Sequence, residues 1–108
     1  MEFLDAKHKC ESDGAHLGYP KSVTENSFFA DIMNGEIWIG VNDYDEENKF
    51  VTVDGFEVSY TNWYWNQPNG DGDGVVIDNN GQWWDRSNYQ DYRFVCFYRI
   101  SGKILYFK

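Results

Sequence analysis

Residues 61–85 read TNWYWNQPNGDGDGVVIDNNGQWWD and hold four of the five tryptophans and one of the two prolines. Between positions 66 and 74 stand Asn66, Gln67, Asn69, Asp71 and Asp73, spaced by Gly70, Gly72 and Gly74, with no Lys or Arg among them. Side-chain oxygens without compensating positive charge suit a hard divalent cation. Calcium takes several such ligands in a flexible cage, and glycine lets the backbone turn tightly enough for alternate side chains to converge. The piece from Asn69 to Gly74 meets the first half of an EF-hand loop, but Asn80 occupies the twelfth position, where a bidentate Glu is needed, and no amphipathic helix flanks it. Calcium therefore survives as a reading and the EF-hand does not. The same residues are also ordinary turn chemistry between two strands, and this stretch alone does not choose.

Working outward, Asp54-Gly55 separates two alternating runs, 50–53 and 56–60, as a hairpin would, and 75–78 and 82–84 form a second hairpin around Asn79, Asn80 and Gly81. Residues 36–41 (EIWIGV) are too short for a helix and rich in β-formers, which predicts a buried strand. Ahead of it the spacing predicts two helices. Residues 2–13 carry the stripe Phe3, Ala6 and Cys10, extended by Lys7 and stopped by Gly14. A second helix is capped by Ser22 or Thr24, with Val23, Phe28, Ile32 and Met33 as its apolar positions and Asn34-Gly35 as its stop. A short strand at 15–19 lies between them. Residues 92–100 read as a final strand and 103–107 as one more folding back on it through Ser101-Gly102. Helices first and strands afterwards, without βαβ alternation, predict an α+β domain.

The chain has 108 residues, which suits one domain, and its net charge of −9 argues against nucleic acid or an anionic membrane as partner. No apolar run is long enough for a membrane span, and residues 1–10 lack the pattern of a signal peptide. Cys10 and Cys96 are the only cysteines and fit either a staple or two buried thiols. An enzyme is a poor reading. The two histidines, His8 and His16, lie near the amino terminus, and there is no nucleophile elbow, phosphate loop or Cys-x-x-Cys.

The order of Cys10 on a helix, GAHL, a second helix, Trp38-Ile39-Gly40, Thr61-Asn62-Trp63, Gln67-Pro68-Asn69, Gly81-Gln82-Trp83-Trp84-Asp85 and Phe94-Val95-Cys96 resembles the C-type lectin domain from about Phe3 to Tyr98. The resemblance implies a C-type lectin-like fold with antiparallel hairpins and a long calcium-binding loop, a Cys10–Cys96 disulfide and an extracellular or secreted protein. It implies a cis Pro68 that aims Gln67 and Asn69 at one point, where Asp85 and either Asp71 or Asp73 complete a calcium site. Asp43 and Glu47 fall where the family draws an auxiliary calcium site. A hexose would be held at the loop calcium by Gln67, Asn69 and Asp85, with Trp65 and Trp84 against the ring, while Trp38, Trp63 and Trp83 are assigned to the core.

The departures from the family pattern are specific. Its second disulfide would need cysteines near Gly74 and Asn88, and none is there. Trp84 replaces a ligating asparagine, Gln-Pro-Asn carries no charge, and the family's amino-terminal strand is missing before Phe3, a place that residues 101–108 are expected to fill. Fewer charged ligands predict weak calcium binding. The alternative is a lectin-like domain that binds a protein partner without calcium.

Overall fold

The apolar run around Trp38 becomes the strand Ile37–Asn42 (β2), and all six of its residues are buried. A strand buried on both faces has no need of polar alternation, and here the two faces feed two cores. Ile37, Ile39 and Val41 join Phe29, Val75, Ile77, Trp83 and Val95 on one side, whereas Trp38 joins Phe3, Ala6, Cys10, Leu17 and Val76 on the other. In this computed structural model the described residues are 1–32, 35–70, 72–100 and 103–107.

Around β2 are arranged the helices Phe3–Ser12 (α1) and Val23–Ile32 (α2) and the strands His16–Leu17 (β1), Val51–Thr52 (β3), Gly74–Ile77 (β4), Trp83–Arg86 (β5), Arg93–Phe94 (β6), Cys96–Ile100 (β7) and Lys103–Phe107 (β8). One sheet runs β3-β2-β4-β5, with β6 pairing parallel to β2, and the other runs β1-β7-β8. The two sheets meet at Gly40. Its N–H donates to Gly18 O and its carbonyl accepts from Val53 N–H, and a Cβ there would lie 2.2 Å from the Leu17 carbonyl oxygen, so no larger residue fits. Cys10 and Cys96 are bonded, joining α1 to β7 inside the second core.

Four expectations need correction. The first concerns α2: of the expected stripe only Ile32 packs, partly buried, against the core, while Val23 is 70% exposed and Phe28 39%, and the buried residues are Phe29 and Asn26. A polar anchor sets this face, because Asn26 Nδ2 donates to Gly81 O and its Oδ1 accepts from Trp83 Nε1 at 2.8 Å. Met33 and Asn34 lie outside the described residues. Second, Lys7 of α1 is not in the core and pairs with Glu11 at 3.0 Å. Third, residues 92–100 are not one strand. They change sheets at Val95, whose carbonyl accepts from Gly18 N–H. Fourth, the hairpin at Asp54-Gly55 turns as read, with Gly55 at φ 96°, but its return limb makes only the bridge Val51↔Glu57 and no strand. The pairing of 103–107 with the strand before it is borne out, in the antiparallel register Cys96↔Phe107 to Ile100↔Lys103, and Ser101 and Gly102 of its turn lie outside the described residues.

Candidate functional site

The loop 61–70 is fastened to β5 from below. Asn62 O accepts from Trp83 N–H, Tyr64 N–H donates to Trp83 O at 2.9 Å, and the Asn62 amide donates to Gly81 O. Asn66 then adopts φ 67°, the Gln67–Pro68 bond is cis as expected, and the chain doubles back over Asp85. Asp85 is 1% exposed, yet both of its oxygens are in use: Oδ1 accepts from Asn69 N–H at 3.2 Å and Oδ2 from Gly70 N–H at 2.7 Å. Gln67 Oε1 accepts from Asp85 N–H at 3.4 Å. Gln67, Asn69 and Asp85 thus come together, as a frame of hydrogen bonds between side chains and backbone. Asp71 lies outside the described residues.

Asp73 joins a different group. It lies with Asp43 and Glu47, and one carboxylate oxygen from each falls within 4.8 Å of the others. Asp43 is 2% exposed; its Oδ2 accepts from Asn48 N–H at 2.9 Å, and its N–H donates to Asp73 O. Its Oδ1 is buried with no hydrogen-bond partner, a state that Tyr44 OH shares among the described residues. Burial, reinforced by the charges of Glu47 and Asp73, pushes the Asp43 carboxyl up to about 6. A donor set of three convergent carboxylates with one orphaned oxygen fits a hard divalent cation. The resemblance divides these residues otherwise, with either Asp71 or Asp73 joining Asp85 and only Asp43 and Glu47 in the auxiliary set. The two groups adjoin, since a Cβ at Gly70 would lie 3.8 Å from Glu47 Oε1.

Asn88 braces the second group. Its Oδ1 accepts from Asp73 N–H at 3.1 Å and Gly74 N–H at 3.2 Å, at the two places where a second disulfide would have stood. Gly72 passes so close to the Arg86 carbonyl that a Cβ would lie 1.9 Å from its oxygen. The resemblance marks Asn88 only as a place without a cysteine, because a polar side chain that caps a distant loop leaves no periodic signal of its bonds.

The tryptophans divide in two. Trp38 and Trp83 are buried and Trp63 is partly so, as assigned. Trp65 is 82% exposed. Trp84 is held by protein: Tyr64 stacks on it at 4.1 Å, the Arg86 guanidinium sits 4.8 Å over the ring, and Nε1 donates to Asp78.

Comparison with known proteins gives the same architecture. Residues 1–98 match the family model described as lectin C-type domain. The chain is 30% identical over 108 residues to C-type lectin domain family 3 member A of Bos taurus, covering 91% of this chain and 55% of that relative, so it spans about half the relative's length. Among solved structures, the mouse scavenger receptor C-type lectin carbohydrate-recognition domain superposes with TM-score 0.81 at 30% identity, covering 88% of this chain and 80% of that one. A calcium-independent type II antifreeze protein superposes with TM-score 0.83 at 24% identity, covering 89% and 77%, a likeness of fold alone.

Proposed function

We propose a function from one premise: the chain belongs to the C-type lectin domain family. It is a lectin-like carbohydrate-binding module, of a family of binding domains rather than enzymes, and calcium steadies its binding loop. The observation that carries the calcium reading is the convergence of Asp43, Glu47 and Asp73, in which the buried Asp43 keeps one oxygen without a hydrogen-bond partner. Asp43, Glu47 and Asp73 would hold the ion, which supplies the positive charge that three converging carboxylates lack. Gln67 and Asn69 on the adjoining loop offer amides to sugar hydroxyls, and the exposed ring of Trp65 offers an apolar face to a hexose. Asp85 serves this surface first as its internal anchor, since a ligand there must displace the amides of Asn69 and Gly70. The Cys10–Cys96 bond suits an oxidising, extracellular compartment, and among the described residues no helix is long and apolar enough to cross a membrane.

The test is a calcium titration followed by calorimetry, together with a glycan array run in calcium and in chelator. Saturable calcium binding that Glu47→Gln weakens, with calcium-dependent glycan signals, is the expected outcome. A second reading has a specific observation behind it: both Asp85 oxygens are satisfied without a metal, and the fold is shared with a protein described as calcium-independent. Equal binding in chelator and in calcium would move the function to a calcium-independent partner, such as a protein.

A further inference from the structure

The incomplete hairpin at Asp54-Gly55 leaves a space that the carbohydrate reading does not use. Its return limb makes one bridge to β3 and no strand, and between it and residues 19–21 lies a cavity of about 480 Å³. Val41, Tyr60 and Trp83 line it from the core, Tyr19 and Asp54 stand at its side, and Phe56, 64% exposed, forms a lip. It contains none of Asp43, Glu47, Gln67, Asp73 or Asp85.

The chemistry of the wall is that of a cation receptor. Tyr19 OH donates to both Asp54 oxygens, at 2.9 and 3.1 Å, and Thr52 OH donates to Oδ1 at 2.6 Å. Burial alone would raise the Asp54 carboxyl, but these hydroxyls outweigh it and hold it below the usual carboxylate range. The carboxylate is therefore ionised and fixed in direction, with acceptor capacity to spare. Glu57 adds a second negative charge to the lining. The basic groups at this wall are His16, whose ring lies 5.7 Å from that of Tyr19, and Lys21, whose ammonium lies 5.7 Å from the centroid of the Tyr19 ring. The protein's own lysine thus already sets an ammonium over the Tyr19 ring in the lining of this cavity, as a bound cation would be set.

We propose that this cavity receives an arginine side chain of a partner polypeptide, with its guanidinium against Tyr19 and Asp54 and its stem along Phe56 and Tyr60, in the place Lys21 now borders. Arginine suits the wall better than lysine, because a planar, weakly hydrated guanidinium stacks on rings and pairs with a carboxylate through two N–H groups. The net charge of −9 favours encounter with a basic partner. This inference stands apart from the carbohydrate reading.

The probe is acetyl-arginine methylamide, with the isosteric but neutral citrulline compound as its control, titrated into the whole chain and followed by amide and aromatic NMR shifts. The arginine probe is expected to shift Tyr19, Thr52 and Phe56, to weaken as salt rises, and to bind equally in calcium and in chelator. Citrulline should bind about ten-fold more weakly, and Asp54→Asn should cost the parent a similar factor. Lys21 is exposed, so Lys21→Met tests the site without threatening the fold. Removal of the competing ammonium should tighten arginine binding about three-fold. A peptide with arginine between two neutral residues should bind more tightly than the free probe, as a polypeptide partner requires. Equal binding of citrulline, no tightening in Lys21→Met, or displacement of arginine by neutral hexoses would overturn the proposal.

Discussion

Two buried carboxylates, Asp85 on β5 and Asp43 just after β2, have opposite fates. Asp85 has two amide N–H donors on its two oxygens, whereas Asp43 has one donor on Oδ2, none on Oδ1, and two further carboxylates beside it. Burial is common to both, so burial does not identify a ligand site. Satisfaction is what separates them: a carboxylate completed by backbone amides holds a loop together, and one left incomplete among like charges is the one proposed above to take a cation.

The largest effect that separates them is expected at Asp85. Asp85→Asn leaves one acceptor for the two amides of Asn69 and Gly70 and turns an NH₂ group from a buried position toward one of them, so it should destabilise by about 3 kcal/mol, in calcium or in chelator alike. Urea denaturation measures this, and a loss confined to the calcium form would show that Asp85 belongs with the ligands instead.

Asp43→Asn should act in the opposite direction in chelator. The folded carboxyl, at about 6, lies above its ordinary value, so between those two pH values the folded state binds the extra proton and its stability falls as pH rises. At pH 7 the neutral variant should be more stable than the parent by about 2 kcal/mol, and the gap should close as pH falls from about 6 to about 4. Calcium should reverse the order, because the variant has given up a charged ligand.

A smaller effect is expected at Asn88, where Ala removes the acceptor shared by Asp73 and Gly74 N–H. A loss of about 1–2 kcal/mol, with weaker calcium binding, would sharpen the contrast by showing that the acidic group depends on a polar brace.

The smallest change in stability belongs to Glu47→Gln, within about 0.5 kcal/mol because the residue is exposed. Its calcium affinity should nonetheless fall about ten-fold. Unchanged affinity would remove Glu47 from the ligand set.

What the sequence made legible were features carried by local chemistry. Trp38 lies in an uninterrupted apolar run, the Asp54-Gly55 and Asn79–Gly81 turns carry their own residues, and the order of motifs from Cys10 to Cys96 is specific to a family. The convergence of Gln67, Asn69 and Asp85 was legible in the same way. Long-range polar bonds were not. Asn26 turns α2 to bury Phe29 because Trp83 and Gly81 need its amide, and an apolar stripe cannot register that demand. The division of 92–100 between two sheets depends on Gly18 claiming the Val95 carbonyl, a contact across 77 positions. The ring neighbours of Trp84, Tyr64 and Arg86, were not legible either, because stacking across strands leaves no mark in the sequence.

The bond between Cys10 and Cys96 also determines how the molecule comes apart. It encloses both candidate sites, the acidic cluster and the cavity beside Asp54 within one covalent ring closed by α1 and β7. A protease that cuts the loop once between Asn66 and Gly74 produces no free fragment, only the same molecule heavier by one water. The cut chain would run as intact on a gel without reductant and separate into two bands with it.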